Sequence, residues 1–190
     1  MARPESDEAL ARRFTDGESA TFEELVHRHG TSVYNLCLRM LGRPEDAHDA
    51  TQETFFAVFR KISSFRGDAA FTTWLHRIAL NACYDSLRKR RRNPIGDVPE
   101  DEPDTHSVDP AERAADTVDV QRALMLVPED FRSVLVLHDV QDMPYDQISE
   151  VLGIPTGTVK SRLHRGRLAL ADLLSGTGER ARTSEQKMEP

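Results

Sequence analysis

Cysteine is nearly absent from this 190-residue chain. Cys37 and Cys83 are too few and too far apart in sequence for a disulfide framework or a zinc motif, and neither has a local activator for thiol chemistry. Long apolar runs are missing as well. The longest, Ala123 to Val127 and Phe55 to Phe59, hold five residues, against the roughly 18 to 20 that a bilayer-spanning helix needs. No membrane insertion is expected. The opening MARPESDEALARR lacks the apolar stretch of a secretory signal, so a reducing cytoplasm is the expected setting. There is no Gly-rich phosphate loop, and His27, His29, His48 and His76 fall at no recognised metal spacing. No carboxylate pattern completes a catalytic site. Neither enzyme activity nor a metal or cofactor is expected.

What is present is charge, unevenly spread. The net charge of −7 would by itself argue against nucleic acid as a partner. Residues 1–92, however, carry +2, residues 93–119 carry −8, and residues 120–190 carry −1. One short acidic segment therefore holds the whole deficit. It leaves two basic blocks on either side: Arg88 to Arg92, and Lys160, Arg162, Arg165 and Arg167 with no acid among them. A footprint for nucleic acid is judged by such local clustering, not by whole-chain charge.

The acidic segment also holds four of the ten prolines and almost no large apolar residue, which reads as a disordered linker. Elsewhere apolar residues recur at three and four, the period of helix. The expected fold class is all-α, with two small helical domains. The expected organisation is a flexible N-terminus over 1–19, a helical bundle over 20–92, a flexible linker over 93–119, a second helical domain over 120–174 and a disordered tail over 175–190. In the first domain one helix carrying Phe22, Leu25 and Val26 should stop at Gly30, and the next, with Val33, Leu36, Cys37 and Met40, at Gly42. Pro44 opens a third helix with Glu45 and Asp46 in its first turn. A loop over 63–68 leads to a fourth, from about 70 to 92. In the second domain a helix over 120–127 breaks at Pro128, and another runs from 129 to about 140. Then Pro144 starts a short helix that ends at Gly153, and a longer basic helix follows Ile154 and Pro155. Short helix, tight turn and basic helix make the helix-turn-helix pattern.

Three faces stand out. On the last helix Val159, Leu163, Gly166 and Leu170 share one side, while Lys160, Ser161, His164, Arg165 and Arg167 share the other. That division gives a DNA-reading helix an apolar back and donors for base edges or phosphates. On the third helix Glu45, Asp46, Asp49, Gln52 and Glu53 surround Phe56, an aromatic with a charged rim that suits a protein contact. On the fourth, Arg77, Asn81, Tyr84 and Arg88 form one stripe near the loop residue Phe65. Rings beside cations suit single-stranded DNA, with Tyr84 and Phe65 as the rings expected to stack on bases.

The segments DAHDATQETFFAVFRKI, FRGDAAFTTWLHRIALNACYDSLRKRRR and YDQISEVLGIPTGTVKSRLHRGRLAL, in that order, resemble the extracytoplasmic-function (ECF) group of bacterial RNA polymerase sigma factors. The resemblance spans about residues 20–92 and 120–174. It implies a sigma region 2 bundle that melts promoters and a sigma region 4 helix-turn-helix. The implied partners are the core polymerase, through its β′ clamp and β subunits, promoter DNA, and an anti-sigma factor. By the resemblance Asp46, Asp49, Gln52, Glu53 and Phe56 grip the clamp. Phe65, Arg66, Asp68, Ala69 and Ala70, with Arg77, Asn81, Tyr84 and Arg88, serve the −10 element. Thr158, Lys160, Ser161, Arg162, His164 and Arg165 serve the −35 element. The acidic linker is expected either to enter the channel that later carries RNA, as the resemblance also implies, or to serve only as a soluble, extended tether. The clamp helix departs from the family pattern at His48, where an acid is usual, and at Ala50 and Thr51, where a bulky pair is usual. The alternative reading is a helix-turn-helix regulator that acts without core polymerase.

Overall fold

The computed structural model describes residues 5–92 and 120–185, with side chains as far as Ser175. The acidic segment 93–119, expected to be a disordered linker, lies outside the described residues. No strand occurs among the described residues, so the all-α expectation holds.

Ser6 opens the first element. Its backbone is extended and its hydroxyl accepts from the Ala9 amide at 3.3 Å, the geometry of a helix N-cap. Asp7 and Glu8 stand in the first turn of α1 (Asp7–Thr15), and Arg12 and Arg13 in its last, each favoured by the helix dipole. Leu10 and Ala11 are buried. The N-terminal stretch expected to be flexible is thus an ordered helix from Asp7, and the Glu8 carboxylate accepts from the Phe71 amide across the bundle.

Helix α2 (Ala20–Leu41) corrects a second expectation, because it runs straight through Gly30. Glycine in a helix interior costs about 1 kcal/mol. Here the apolar stripe of Leu25, Val33, Leu36, Cys37 and Met40, all buried, outweighs that cost. The true stop is Gly42, whose φ of 84° is left-handed and whose amide donates to the Leu38 carbonyl at 2.8 Å. Pro44 sits in the first turn of α3 (Pro44–Lys61), which buries Ala47, Ala50, Thr54 and Val58. A 3-10 turn, Ile62–Ser64, leads to the loop before α4 (Phe71–Arg92). Cys37 of α2 and Cys83 of α4, distant in sequence, meet in this core. The hydrogen bond between them, reinforced by burial, raises the Cys83 thiol well above its ordinary pKa, and both cysteines are free.

The second bundle starts with α5, residues 120–126. After Pro128 comes α6 (Glu129–Leu135), which widens into a π turn, Val136–Val140. Helix α7 (Tyr145–Leu152) ends at Gly153, φ 65°, and α8 (Thr156–Glu185) follows. Its backbone stays helical ten residues past Ser175, where a disordered tail was expected. Gly166 lets α8 lie against α6: an added Cβ would come within 3.0 Å of Leu135 and 3.3 Å of Phe131.

The two bundles touch. Arg132 of α6, 6% exposed, donates to the Met40 carbonyl at 2.8 Å. Near this seam His76 of α4 is buried. Burial above all, with His29 adding to it, lowers its pKa from 6.5 to about 4, against an opposing hydrogen bond with Gln141. His29 itself is 2.9 Å from Asp7. Between pH 6.5 and about 4 the unfolded chain binds a proton at His76 that the folded chain refuses. Stability is therefore greatest above that window and falls as pH falls through it. Urea midpoints from pH 7 to 4.5 should decline, and His76→Gln should flatten the decline. An equally steep slope in the variant would assign it to other groups.

Candidate nucleic-acid and protein interfaces

Helix α8 is seated by Val159 and Leu163, both buried, and by Gly166. Its first turn is fixed by the amides of Thr158 and Val159 donating to the Pro155 carbonyl at 2.8 and 3.1 Å. That anchoring turns Lys160, Ser161, His164 and Arg165 outward, all exposed. Thr158 is half-buried, and its carbonyl accepts from the Ser161 hydroxyl at 3.0 Å. The Lys160 ammonium lies 5.7 Å from the centroid of the Tyr145 ring. Arg162 is turned sideways and half-buried, donating to Asp130 of α6 at 2.9 Å. Four of the six residues expected on the −35 face thus project together, while Arg162 braces the helix.

On α3 the outward side is as its spacing predicts. Asp49, Gln52, Glu53 and Phe56 are exposed and Asp46 is half-buried, with Phe56 at 61% exposure the centre of the group. Asp46 lies 3.9 Å from Arg90. At the departures from the family pattern, Ala50 is buried where α3 packs. The Thr51 hydroxyl donates to the Ala47 carbonyl at 2.7 Å, and His48 is exposed, its ring edge-on to Tyr34 at 4.9 Å. The fold adds what the sequence reading missed. Phe14, Phe22 and Phe59 form a triangle of rings with every centroid pair 5.3 Å apart. With Val26, Tyr34, Phe55 and Phe56, the rings of Phe22 and Phe59 line an apolar groove between α2 and α3. The run Phe55, Phe56, Phe59 was the available signal, but only the path of α1 brings Phe14 to it.

The −10 group divides. Arg66, Asp68 and Ala70 are exposed and Ala69 is half-buried, on a loop turned by Gly67 at φ 78°. Phe65, expected to offer its ring to a base, is half-buried instead. It is edge-on to Phe71 at 5.5 Å and tilted over Trp74 at 5.3 Å, so it anchors the loop. Asn81 and Arg88 are exposed and share a groove between α3 and α4 with Asp49 and Glu53. Arg77 donates to the Glu150 carbonyl of α7. Tyr84 is half-buried against α6, beside Ser133 and Asp130, and burial raises its pKa. The second bundle thus takes up both Arg77 and Tyr84 from the stripe.

Residues 25–93 match the family model for Sigma-70 region 2, and residues 117–170 that for Sigma-70, region 4. The RNA polymerase sigma-H factor of Pseudomonas aeruginosa is 34% identical over 182 residues, covering 90% of this chain and 94% of that protein. The ECF RNA polymerase sigma factor SigM of Mycobacterium tuberculosis is 37% identical, covering 89% and 85%. The chain belongs to the ECF sigma factors. The ECF sigma factor SigE of Mycolicibacterium smegmatis is 39% identical, and the matched part spans 82% of this chain and 62% of that protein. Among solved structures, CnrH in complex with the cytosolic domain of CnrY superposes with a TM-score of 0.70 at 27% identity, covering 90% of this chain and 99% of CnrH. The sigma factor RpoE of Bartonella quintana, in complex with the anti-sigma factor NepR, gives 0.66 at 25% identity, covering 81% and 96%.

Sigma factors are transcription initiation factors without known catalytic activity. The region 2 match falls on α2 to α4, and the region 4 match on α5 to α8 as far as residue 170. Among the described residues no group of His, Cys, Asp and Glu is arranged to hold a metal ion. None of the described helices is long and apolar enough to cross a membrane.

Proposed function

We propose that this chain is an alternative sigma factor of the cytoplasm that binds core polymerase through the α3 face and directs initiation through two separate DNA-reading surfaces. The observation that carries the residue assignment is the pairing of a rimmed, exposed Phe56 with cationic faces on α4 and α8, in a chain of this family. Asp46, Asp49, Gln52, Glu53 and Phe56 engage the β′ clamp. The loop at 66–70 and Asn81 read the melted −10 strand, with Arg77, Tyr84 and Arg88 along its backbone and bases. Lys160, Ser161, His164 and Arg165 enter the −35 major groove. An anti-sigma factor covering these faces would silence the chain. Transcription of a genomic library by core polymerase plus this protein tests class and specificity together. Specific start sites are expected. Tight operator binding by the free protein, with no effect on polymerase, would replace this reading by that of a regulator independent of core.

Within α8 the roles separate. Changing Lys160, Ser161 or His164 should shift preference by about 1–3 kcal/mol at one position of the −35 element. Losing the Arg165 phosphate contact should weaken all promoters alike and lower the salt dependence. Arg162→Ala should act mainly on stability, by freeing α8 from Asp130. Uniform losses across all five would mean that the helix positions the protein without reading sequence.

A further inference from the structure

Helix α4, which carries the proposed −10 stripe, starts without the usual chemistry of a helix start. The Trp74 amide donates to the Ala70 carbonyl at 3.2 Å, so Ala70 stands at the N-cap, where a side-chain oxygen is favoured and alanine has none. No acid lies in the first turn, although the helix dipole favours one there. The Thr73 hydroxyl, buried in that turn, has no hydrogen-bond partner and supplies no cap. By contrast α1 opens on Ser6, Asp7 and Glu8, and α3 on Pro44, Glu45 and Asp46.

The missing acceptor comes from 63 residues away. The Phe71 amide, the first orphan donor of α4, donates to Glu8 Oε1 of α1 at 3.2 Å. The Glu8 carboxyl is held below its ordinary pKa by its own amide and that of Phe71, with Ser6 and Arg12 adding to this against burial. It therefore meets α4 as an anion at neutral pH. Helix α1 is fastened where this contact is made. Asp7 accepts from Arg28 at 3.1 Å and lies 2.9 Å from His29. Arg28 also donates to the Glu5 carbonyl at 2.6 Å, and Leu10 and Ala11 are buried. Phe71 is thereby pinned twice. Its ring centroid is 5.6 Å from that of His29 and 5.5 Å from that of Phe65, and its amide is on Glu8. The loop over 66–70 hangs between two fixed ends, Phe65 and Phe71.

We infer that Glu8 is a positioning residue for −10 recognition, its carboxylate capping α4 from another helix and fixing the far end of the loop over 66–70. The inference rests on the sigma reading above and adds a residue that lies before the region 2 match, which begins at residue 25. Without the cap the first turn of α4 frays into the loop, and the melted strand has to order both. Glu8 acts through Phe71 and does not itself touch DNA.

Glu8→Gln and Glu8→Met separate the acceptor from everything else. The two side chains are alike in length, charge and helix propensity, and only glutamine keeps an oxygen for the Phe71 amide. Both full-length variants are assayed with core polymerase. Glu8→Met should speed hydrogen exchange at the Phe71 amide and lower open-complex formation on duplex promoters about fivefold to tenfold, the usual size of a lost cap. On a pre-melted bubble it should also weaken discrimination between the preferred and a substituted −10 base. Glu8→Gln should stay within about twofold of wild type in each measurement. Core affinity should be unchanged in both. A general loosening of α1 would not give that split, because α1 also carries Phe14, which packs on Phe59 of α3. Glu8→Ala takes the place of Glu8→Met should that variant not fold. Wild-type initiation and base preference in Glu8→Met would overturn the inference, as would equal losses in the two variants or a parallel fall in core affinity. In each of these cases promoter-specific initiation by the wild type leaves the sigma reading standing; its absence in the wild type would remove both.

Discussion

Phe56→Ala and Asp49→Arg should each weaken binding to core polymerase by about thirtyfold or more without altering the helical content of the chain. A central aromatic inside a charged rim typically contributes about 2 kcal/mol or more, and each 1.4 kcal/mol is a factor of ten. Phe56 is 61% exposed, so truncating it removes apolar surface from water and leaves no cavity. The Asp49 change places a cation in a rim that Glu53 and Asp46 make anionic, and should act more through repulsion of the cationic partner surface such a rim suits than through lost contact. Its effect should therefore shrink at high salt, whereas that of Phe56→Ala should not. Circular dichroism and urea midpoints will separate binding from folding. Phe59→Ala is the informative contrast. Its ring completes the triangle with Phe14 and Phe22, so stability should fall along with affinity. Equilibrium binding of labelled protein to core is the measurement, and unchanged affinity in both primary variants would remove α3 from the interface.

The helical class, the two blocks and the outward side of α3 were legible in the sequence because one helix repeats its period over several turns. The failures share a cause: they depend on what lies opposite. Helix α1 was passed over because it buries only Leu10 and Ala11, although Ser6, its acidic first turn and its basic last turn were all present. Gly30 was given the meaning of a stop that belongs to Gly42, since a glycine's role is set by φ and packing, not by its letter. Arg77 and Tyr84 do lie on one stripe of α4, as their spacing requires. A stripe, however, does not disclose that α6 and α7 cover part of it. The meeting of Cys37 with Cys83, and of Phe14 with Phe59, likewise required the tertiary path.

At the −10 element the largest effect should come from removing Phe65 and Asn81 separately and comparing two templates. Phe65 is held between Phe71 and Trp74, and through it the loop over 66–70 is held at the end of α4. Phe65→Ala should therefore release the loop. Open-complex formation on duplex promoters should fall by up to about a hundredfold, the equivalent of losing one stacked base at roughly 1–3 kcal/mol. Core affinity should be unaffected, because Phe65 is not among the residues of the α3 face. Phe65→Leu, which keeps an apolar anchor, should recover much of the activity. That rescue distinguishes a positioning ring from one that stacks on DNA, since leucine packs but offers no π face. Asn81 is exposed, and its amide can donate to and accept from a Watson–Crick edge that duplex DNA hides. Asn81→Ala should weaken discrimination between the preferred and a substituted −10 base even on a pre-melted bubble, whereas Phe65→Leu should preserve it. If the bubble template retained its full base preference in Asn81→Ala, the side chain would not be a base reader, and the exposed loop residues Arg66 and Asp68 would take its place as the groups to test.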